Sequence, residues 1–362
     1  MKFGIHKFAE ASISPFEKRY EQILSFNGIQ STFLHANQAD FWDKLAELDV
    51  FISRWIDTSD HEQIGHTILP IIDRMDSLTC LPDYASFWPY DDKIRQYYLL
   101  KQHGFPVIET YIFWDKETAL AWIETAPLPT VFKLKGGAGS SNVVLIKSRS
   151  QGKRLIRTMF GSGVKSGKLP TSDHVKFKQF NWRKTIRRLG GDFLRTIKGI
   201  EVNQRWQLHK NYALFQRFLP GNTFDVRVTV IGGRAFAFRR MNRENDFRAS
   251  GSGNADLNPT SIDLQCVRIA LDVSKKLKYH TMSYDFLYGK DNQPLISEMS
   301  YTFVDNYIFR CQGYWDDTLN FHEGHFWPQY LQLMDLLDRP DLRQPDMVIE
   351  EVSIKQRFQK LV

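Results

Sequence analysis

Val131-Phe-Lys-Leu-Lys-Gly-Gly-Ala-Gly-Ser-Ser-Asn-Val-Val-Leu-Ile-Lys-Ser148 is the stretch whose reading decides the fold. Val131 to Lys135 alternates apolar and basic residues, the period of a half-buried strand. Gly136 to Ser141 contains nothing bulky, and Asn142 to Ile146 is apolar and β-branched again. The stretch therefore reads as strand, glycine-rich loop, strand, with Lys133 and Lys135 aimed at the mouth of the loop. Glycine lets the backbone turn with positive φ and approach a ligand closely. Successive N–H groups in such a turn form an anion-binding concavity, and a lysine beside it supplies the point charge a phosphate needs. Taken alone, the same stretch is also compatible with a plain hairpin, so its meaning depends on what surrounds it.

Upstream, short apolar runs alternate with helical spacing. Lys2 to His6, Ile29 to Leu34 and Asp49 to Trp55 read as strands. Ser14 to Phe26, Asp40 to Leu48 and His61 to Met75 read as helices, the first stopped by Asn27-Gly28. Such alternation implies a small α/β unit with a parallel sheet. No phosphate loop accompanies its first strand, which makes it a supporting or substrate-side domain. Asp91-Asp92 caps a helix from Lys93 to His103, where carboxylates suit the helix dipole. A strand over residues 105–113 and a helix over 116–124 lead into the quoted stretch.

Downstream, Ala213 to Gly221 is a strand ending in a turn. Asp225 to Ile231 and Arg234 to Arg240 flank Gly232-Gly233 and read as a hairpin. Asn242 to Asn254 is polar, glycine-rich and of a length typical of functional loops. Ser261 to Leu277 is an amphipathic helix, and Thr281 to Tyr288 and Pro294 to Ser300 form a second hairpin. Two tempting motifs fail. Gly167-Lys168 is followed by Leu169 and preceded at the required distance by Ser162, so it is no phosphate loop of the NTPase type. His322-Glu-Gly-His325 brings its second histidine one residue too early for a zinc-protease helix.

The 362 residues exceed one ordinary domain. The net charge of +7 is concentrated: residues 151–210 hold 15 Lys/Arg against 3 Asp/Glu, a local +12 that leaves −5 for the rest of the chain. Within this segment residues 180–199 have helical spacing, and its charge suits a polyanionic substrate, a phosphorylated carrier or a membrane surface. No nucleic-acid recognition motif accompanies it. Three dispersed cysteines make no disulfide framework and fit a reducing cytosol. No membrane span or secretory signal is present, so the expected location is cytoplasmic.

The glycine loop, the Asp225-x-Arg227 hairpin and the Asp285…Glu298 hairpin, in that order and spacing, resemble the ATP-grasp superfamily, whose members include D-alanine–D-alanine ligase and glutathione synthetase. The resemblance covers roughly residues 91 to 330. Phe-Lys-Leu-Lys-Gly-Gly-Ala-Gly-Ser-Ser-Asn-Val, with Asn-Asp-Phe-Arg-Ala-Ser-Gly-Ser-Gly and the later Gly-Tyr-Trp-Asp, is similar to ATP-grasp proteins of bacterial surface-polysaccharide gene clusters. The fold so implied is mixed α+β and α/β: an ATP-grasp fold behind an N-terminal α/β domain. The expected organisation is an N-terminal domain over 1–90, a central linker subdomain over 91–130, and a lid subdomain with a basic helical insertion over 131–215. A C-terminal ATP-grasp subdomain over 216–335 and a tail over 336–362 complete it.

The resemblance also implies roles. Lys93 and Lys133 would hold phosphates, and the flap Gly136, Gly137, Ala138, Gly139, Ser140 and Ser141 would close over the β- and γ-phosphates. Gln216, Arg217, Phe218 and Leu219 would form the hinge that meets adenine, with Asp225 near the ribose or the site floor. Asp285 and Glu298 match the Mg²⁺-holding carboxylates, since Mg²⁺ prefers a few hard oxygen ligands plus substrate phosphates. The family's Glu-x-Asn is here Glu298-Met-Ser300, so Ser300 stands in the third place, with Asn306 or a water as other ways to complete the shell. Arg227, Arg239, Arg240, Arg243 and Arg248 would surround the transferring phosphoryl group. The count from Asp225 for the family's arginine falls on Met241 and leaves Arg239 and Arg240 both open. The implied activity is an ADP-forming ligase joining a carboxylate to an amine, with ATP and Mg²⁺ as cofactors. Its substrates are expected to be small or carrier-linked and anionic, an anionic sugar or glycan precursor among them. A homodimer is compatible with this reading. A kinase acting on a hydroxyl and a non-catalytic ATP-binding protein are the alternatives.

Overall fold

The computed structural model describes residues 1–7, 13–57, 59–137, 142–166, 207–243 and 253–349. The chain opens with β1 (Phe3–His6), α1 (Pro15–Phe26), β2 (Ser31–Leu34), α2 (Phe41–Leu45), β3 (Val50–Ile52), α3 (Ser59–Ile72) and β4 (Thr79–Leu81). The four strands are all parallel, in the order β2-β1-β3-β4. The expected parallel α/β unit is therefore present. Ser14 and Glu17 form a capping box at the start of α1, and Gly28 follows its end at φ +71. The cysteines are free, and among the described residues no helix is long and apolar enough to cross a membrane.

Next come α4 (Tyr84–Phe87), α5 (Lys93–Gln102), β5 (Thr110–Phe113), α6 (Lys116–Thr125), β6 (Thr130–Lys133), β7 (Val143–Ile146), α7 (Arg149–Met159), β8 (Val164–Lys165), β9 (Leu208–His209) and β10 (Ala213–Arg217). Strands β5-β10-β6-β7 make an antiparallel sheet. The quoted stretch does supply two paired strands, Lys133 opposite Val143 and Thr130 opposite Ile146. Its exposure follows the expected alternation from Phe132 onward: Phe132 and Leu134 are buried, Lys133 and Lys135 half-buried, and Val131 is buried as well. Phe132, Val144 and Ile146 pack against Ile123 of α6 and Ile156 of α7. The helix expected over residues 180–199 lies outside the described residues.

The third sheet uses β11 (Phe224–Ile231), β12 (Arg234–Met241), β13 (Ala255–Asp256), β14 (Thr281–Tyr288), β15 (Pro294–Ser300), β16 (Gly313–Trp315) and β17 (Phe321–Glu323). Its order is β15-β14-β11-β12-β16-β17, with β13 also paired to β12. Gly232 and Gly233 both have positive φ (54 and 80), the geometry that matches a two-residue hairpin turn to strand twist. Alternation then sorts β11. Val226, Val228 and Val230 pack on α8 (Leu264–Leu277), which leaves Asp225, Arg227, Thr229 and Ile231 for the other face. The far end of that face is covered by α9 (Asp305–Arg310) and α10 (Pro328–Leu337). Helix α10 also packs Leu333 against Phe3, Ile5 and Ile23 of the N-terminal unit.

Strand β15 is the edge of this large sheet, and an unpaired edge exposes a row of N–H and C=O groups. Residues 106–108 and helix α5 cover it. Ile296 N donates to Pro106 O at 2.8 Å and Ile108 N to Ile296 O at 3.1 Å. The Gln96 side chain accepts from Met299 N at 3.1 Å and donates to Met299 O at 2.8 Å. These bonds set the smaller antiparallel sheet against the carboxylate-bearing hairpin.

Candidate active site

Asp92, the N-cap of α5, accepts from Ile94 N and Arg95 N, and this fixes Lys93 at the first turn, pointing into the cleft between the two antiparallel sheets. The Lys93 ammonium, almost fully buried, lies 3.0 Å from Glu298 Oε1. Burial alone would push its pKa down, but Glu298 and Asp91 outweigh it, so the net direction is up. Lys133 enters from β6 and lines the same cleft with Lys93, Gln96, Thr110, Gln216 and Glu298. Among the described residues its ammonium has no ion pair, and burial brings its pKa down to about 8. Lys135 does not share this position. It lies past the end of β6, pairs with Asp92 at 3.4 Å and donates its backbone N–H to Tyr212.

The facing wall carries a network of four charges. Cross-strand register puts Asp225 opposite Arg240, Arg227 opposite Asp285, and Asp285 opposite Glu298, and directly opposed residues share a face. Arg227 grips Asp285 through two bonds of 2.6 and 2.8 Å. Arg240 grips Asp225 through bonds of 2.7 and 2.6 Å and reaches Asp285 at 2.6 Å. Burial pushes the Asp285 carboxyl up, yet the two guanidiniums hold it well below the usual carboxylate range. At Asp225 burial wins over Arg240, and its pKa rises.

Register also separates the two arginines that counting could not. Arg240 faces Asp225 and Asp285, whereas Arg239 is on the opposite face, with its guanidinium 4.4 Å from the Phe224 ring centroid. The expectation that Arg239 joins the site is therefore corrected by strand alternation. Ser300 is next to Glu298 on the same face, but its hydroxyl donates to Thr302 O at 2.8 Å and accepts from Thr302 N; it is engaged with its own strand end. Asn306 is held at Arg19, away from the carboxylate pair. Among the described residues no group of three or more His, Cys, Asp or Glu could hold a metal ion. Arg243 is at the end of the described segment, and Arg248, Ala138, Gly139, Ser140 and Ser141 are outside the described residues.

At the hinge, Gln216 is paired on both edges, with Thr110 of β5 and Val131 of β6, and its side chain donates to Thr110 Oγ1 at 3.2 Å. Arg217 N donates to Glu109 O, and its side chain is exposed. Phe218 and Leu219 lie past the strand end and line a second, open pocket with Asn222, Phe224, Tyr288 and Lys290. Asn222 ties this turn to β14: its amide donates to Leu219 O and Tyr288 O and accepts from Tyr288 N.

Sequence reasoning missed four contributors. Gln96 and Thr110 look like ordinary helix and strand positions, and Asn222 an ordinary turn residue; only their contacts reveal them. The sequence presents Asp91 as half of a capping pair. The structure instead gives the cap to Asp92 and turns the Asp91 carboxylate onto the glycine loop, where Gly137 N donates to both its oxygens at 2.8 and 2.7 Å. Gly137 itself is required: φ is +102, and a Cβ there would come within 1.9 Å of Asn142 Nδ2. The rejected histidines are engaged elsewhere, His322 with Asp316 and His325 with Phe309 O.

No family model matches the chain, and no curated protein does. Solved structures do match. An N5-carboxyaminoimidazole synthase from Aspergillus clavatus, in complex with ADP and 5-aminoimidazole ribonucleotide, is 9% identical over 94% of this chain and 77% of its own, with a TM-score of 0.54. D-cycloserine synthetase DcsG is 14% identical over 83% of this chain and 91% of its own, at 0.50. The ATP-grasp ligase PsnB with its minimal precursor is 13% identical over 85% and 93%, also at 0.50. At such identities the likeness speaks to architecture, and with the two antiparallel sheets and the cleft between them it establishes that this chain has the ATP-grasp fold.

Proposed function

We propose that the protein is an ATP-dependent, ADP-forming ligase that joins a carboxylate to an amine. The observation that carries this reading is the convergence of two ammonium groups, buried Lys93 and half-buried Lys133, on a cleft whose other wall presents Glu298 beside the Arg227–Asp285–Arg240–Asp225 network. A carboxylate oxygen of the substrate attacks the γ-phosphorus and ADP departs, leaving an acylphosphate. The amine nitrogen then attacks the acyl carbon, inorganic phosphate leaves, and the nitrogen loses a proton. Lys93 and Lys133 neutralise the phosphates, and Arg227 and Arg240 sit in a rigid frame beside the carboxylates. The adenine binds against the turn at Phe218 and Leu219, where the chain has left the strand. Closure of residues 136–141 excludes water from the acylphosphate.

The donor set fits Mg²⁺. Asp285 and Glu298 are hard oxygen donors opposite each other on one face, and a magnesium ion needs only one or two such carboxylates when phosphates complete its shell. Ser300 is not aimed there. The ion would neutralise charge developing on the phosphate oxygens. Supported by the excess charge of residues 151–210 and the resemblance of the glycine loop, the acceptor is an anionic sugar or carrier-linked glycan precursor. The test is ADP release across paired carboxylates and amines, with products weighed by mass spectrometry. One pair should give ADP and a condensed product, and Glu298→Gln should lose about 100-fold or more in kcat. A product phosphorylated on oxygen without need of an amine would replace the ligase with a kinase. Binding of Mg·ATP with no ADP from any pair would leave a nucleotide-binding protein.

A further inference from the structure

Strand period puts Lys135 on the face of Lys133, yet its ammonium turns to Asp92 and takes no part in the proposed chemistry. The register of β6 against β10 ends with Lys133 opposite Leu214. Carried two residues further, it would set Lys135 opposite Tyr212, but the backbone of β10 does not extend that far. Asn211 is in the left-handed region at φ 63 and donates its N–H to Met159 O at the end of α7. The Tyr212 side chain takes over where the backbone has turned away, and Lys135 N donates to its hydroxyl at 2.9 Å. That oxygen is also 2.9 Å from His209 Nδ1, and His209 Nε2 is 2.8 Å from Ser166 Oγ. Because Lys135 N can only donate, the phenol proton goes to His209 Nδ1, and the imidazole proton sits on Nε2, toward Ser166. The other tautomer would leave a buried phenol proton without an acceptor. Burial, with Lys135 and Lys93 nearby, brings the His209 pKa down to about 4, so the imidazole is neutral at pH 7.

The other two handles on residue 135 lead to the site. Lys135 O accepts from Lys93 N at 2.9 Å, and Lys135 Nζ is 3.4 Å from Asp92 Oδ2, the cap of the helix that carries Lys93. One residue therefore registers the end of β6, with Lys133 two positions back, against the first turn of α5, with Lys93. We propose that Tyr212 is a positioning residue of the nucleotide site: its hydroxyl extends the β6–β10 ladder to residue 135 and thereby sets the spacing of the Lys93 and Lys133 ammonium groups. The inference rests on the reading of those two lysines as phosphate ligands. Tyr212 acts through the backbone of residue 135 rather than on the reacting atoms. Without the hydroxyl, the Lys135 N–H and His209 Nδ1 lose their shared partner, and a buried polar group so stranded favours rearrangement of its segment. Two ammonium groups grip one phosphate chain well only when the residues behind them are held, which is what the Tyr212 hydroxyl does for the end of β6.

The experiment uses the full chain with AMPPNP and Mg²⁺ in titration calorimetry, for wild type, Tyr212→Phe and His209→Leu. Tyr212→Phe keeps the ring and removes only the hydroxyl, and should weaken AMPPNP binding about tenfold, the size expected for loss of one buried hydrogen bond. His209→Leu removes the acceptor of the phenol proton and should weaken binding about threefold. Hydrogen exchange of the peptide over residues 131–135 should quicken in both variants, and KM for ATP should rise more than kcat falls. The pH profile separates positioning from mere support. Lys133 shares its cleft with Lys93 and Tyr97 of α5 and Glu298 of β15, and the Asp285 charge of β14 also acts on it. With the strand end loosened its ammonium gains water, its pKa rises from about 8 towards the ordinary lysine value, and the fall in affinity moves to higher pH in Tyr212→Phe. Affinity within about twofold of wild type with an unchanged pH profile, even at a lowered melting temperature, overturns the proposal and makes Tyr212 a support of the fold alone. If Tyr212→Phe does not fold, His209→Leu decides by the same criteria. Failure of wild type itself to bind AMPPNP would overturn the phosphate reading of the lysines and this proposal together, whereas wild-type binding with indifferent variants sinks the proposal alone.

Discussion

The two walls of the cleft handle charge in opposite ways. On the large sheet, Asp225 and Asp285 are matched one for one with Arg227 and Arg240 through paired hydrogen bonds. On the smaller sheet, half-buried Lys133 has no ion pair among the described residues, and desolvation of its ammonium lowers its pKa to about 8. A matched network is rigid and resists change, because removing any member strands another charge in a low dielectric. A desolvated cation without a counter-ion is held at a cost and gains most when an anion arrives. One wall is thus a frame and the other a receptor, and Lys93, paired with Glu298, joins them.

Substitution can break or sharpen this contrast. Asp285→Asn should be the most damaging to folding, by about 3–5 kcal/mol, since it leaves two buried guanidiniums short of a partner; denaturant unfolding measures it, and a loss below 1 kcal/mol would mean the network is not a frame. Lys133→Met should do the reverse. Stability should hold or rise, by up to about 2 kcal/mol, while AMPPNP binding weakens about 100-fold; a marked fall in the melting temperature would show that Lys133 has a structural partner. The pH dependence follows from the direction of the shift. Burial moves Lys133 from 10.5 to about 8, so its cation is present below pH 8 and lost above it. Nucleotide affinity should then fall above about pH 8, up to tenfold per unit, and Lys133→Arg should flatten the profile. The smallest effect belongs to Arg239→Ala. Its guanidinium faces away from the cleft over Phe224, so it should cost about 0.5–1 kcal/mol of stability and change kcat/KM less than tenfold. An effect matching that of Arg240→Ala would overturn the assigned face.

Much of the frame is legible in the chain. Alternation along Asp225-Val-Arg-Val-Thr-Val-Ile marks a strand with one apolar face, and Gly232-Gly233 marks the turn. Spacing about the turn at Gly289 does not by itself bring Asp285 and Glu298 opposite: the ladder that pairs Phe286 with Ile296 would set Asp285 against Ser297, and a bulge between Asp285 and Phe286 shifts it to Glu298. Two-residue periodicity survives in sequence because each residue's face is fixed by its neighbours. What blurs is whatever depends on counting across a turn. The count from Asp225 for the family's arginine falls on Met241 and leaves Arg239 and Arg240 both open, whereas the ladder sets Arg240 directly opposite Asp225. The half-buried reading of residues 131–135 holds from Phe132 to Lys135, where apolar residues are buried and lysines half-buried, and departs only at Val131, whose burial depends on what covers the second face of the sheet.

Sequence by itself determined the local alphabet of this protein: the parallel N-terminal unit, the glycine loop, the two hairpins and the residue types that suit phosphate and magnesium. These follow from periodicity, turn chemistry and helix capping, all short-range. Only the tertiary structure decided that Lys133 lines the cleft while Lys135 turns to Asp92, that Ser300 turns to Thr302, that Arg240 and not Arg239 meets Asp285, and that Asp91 reaches across to Gly137 from a segment 46 positions earlier. Each of those outcomes depends on which side chains meet across distant elements, and hence on packing and register that no local pattern contains.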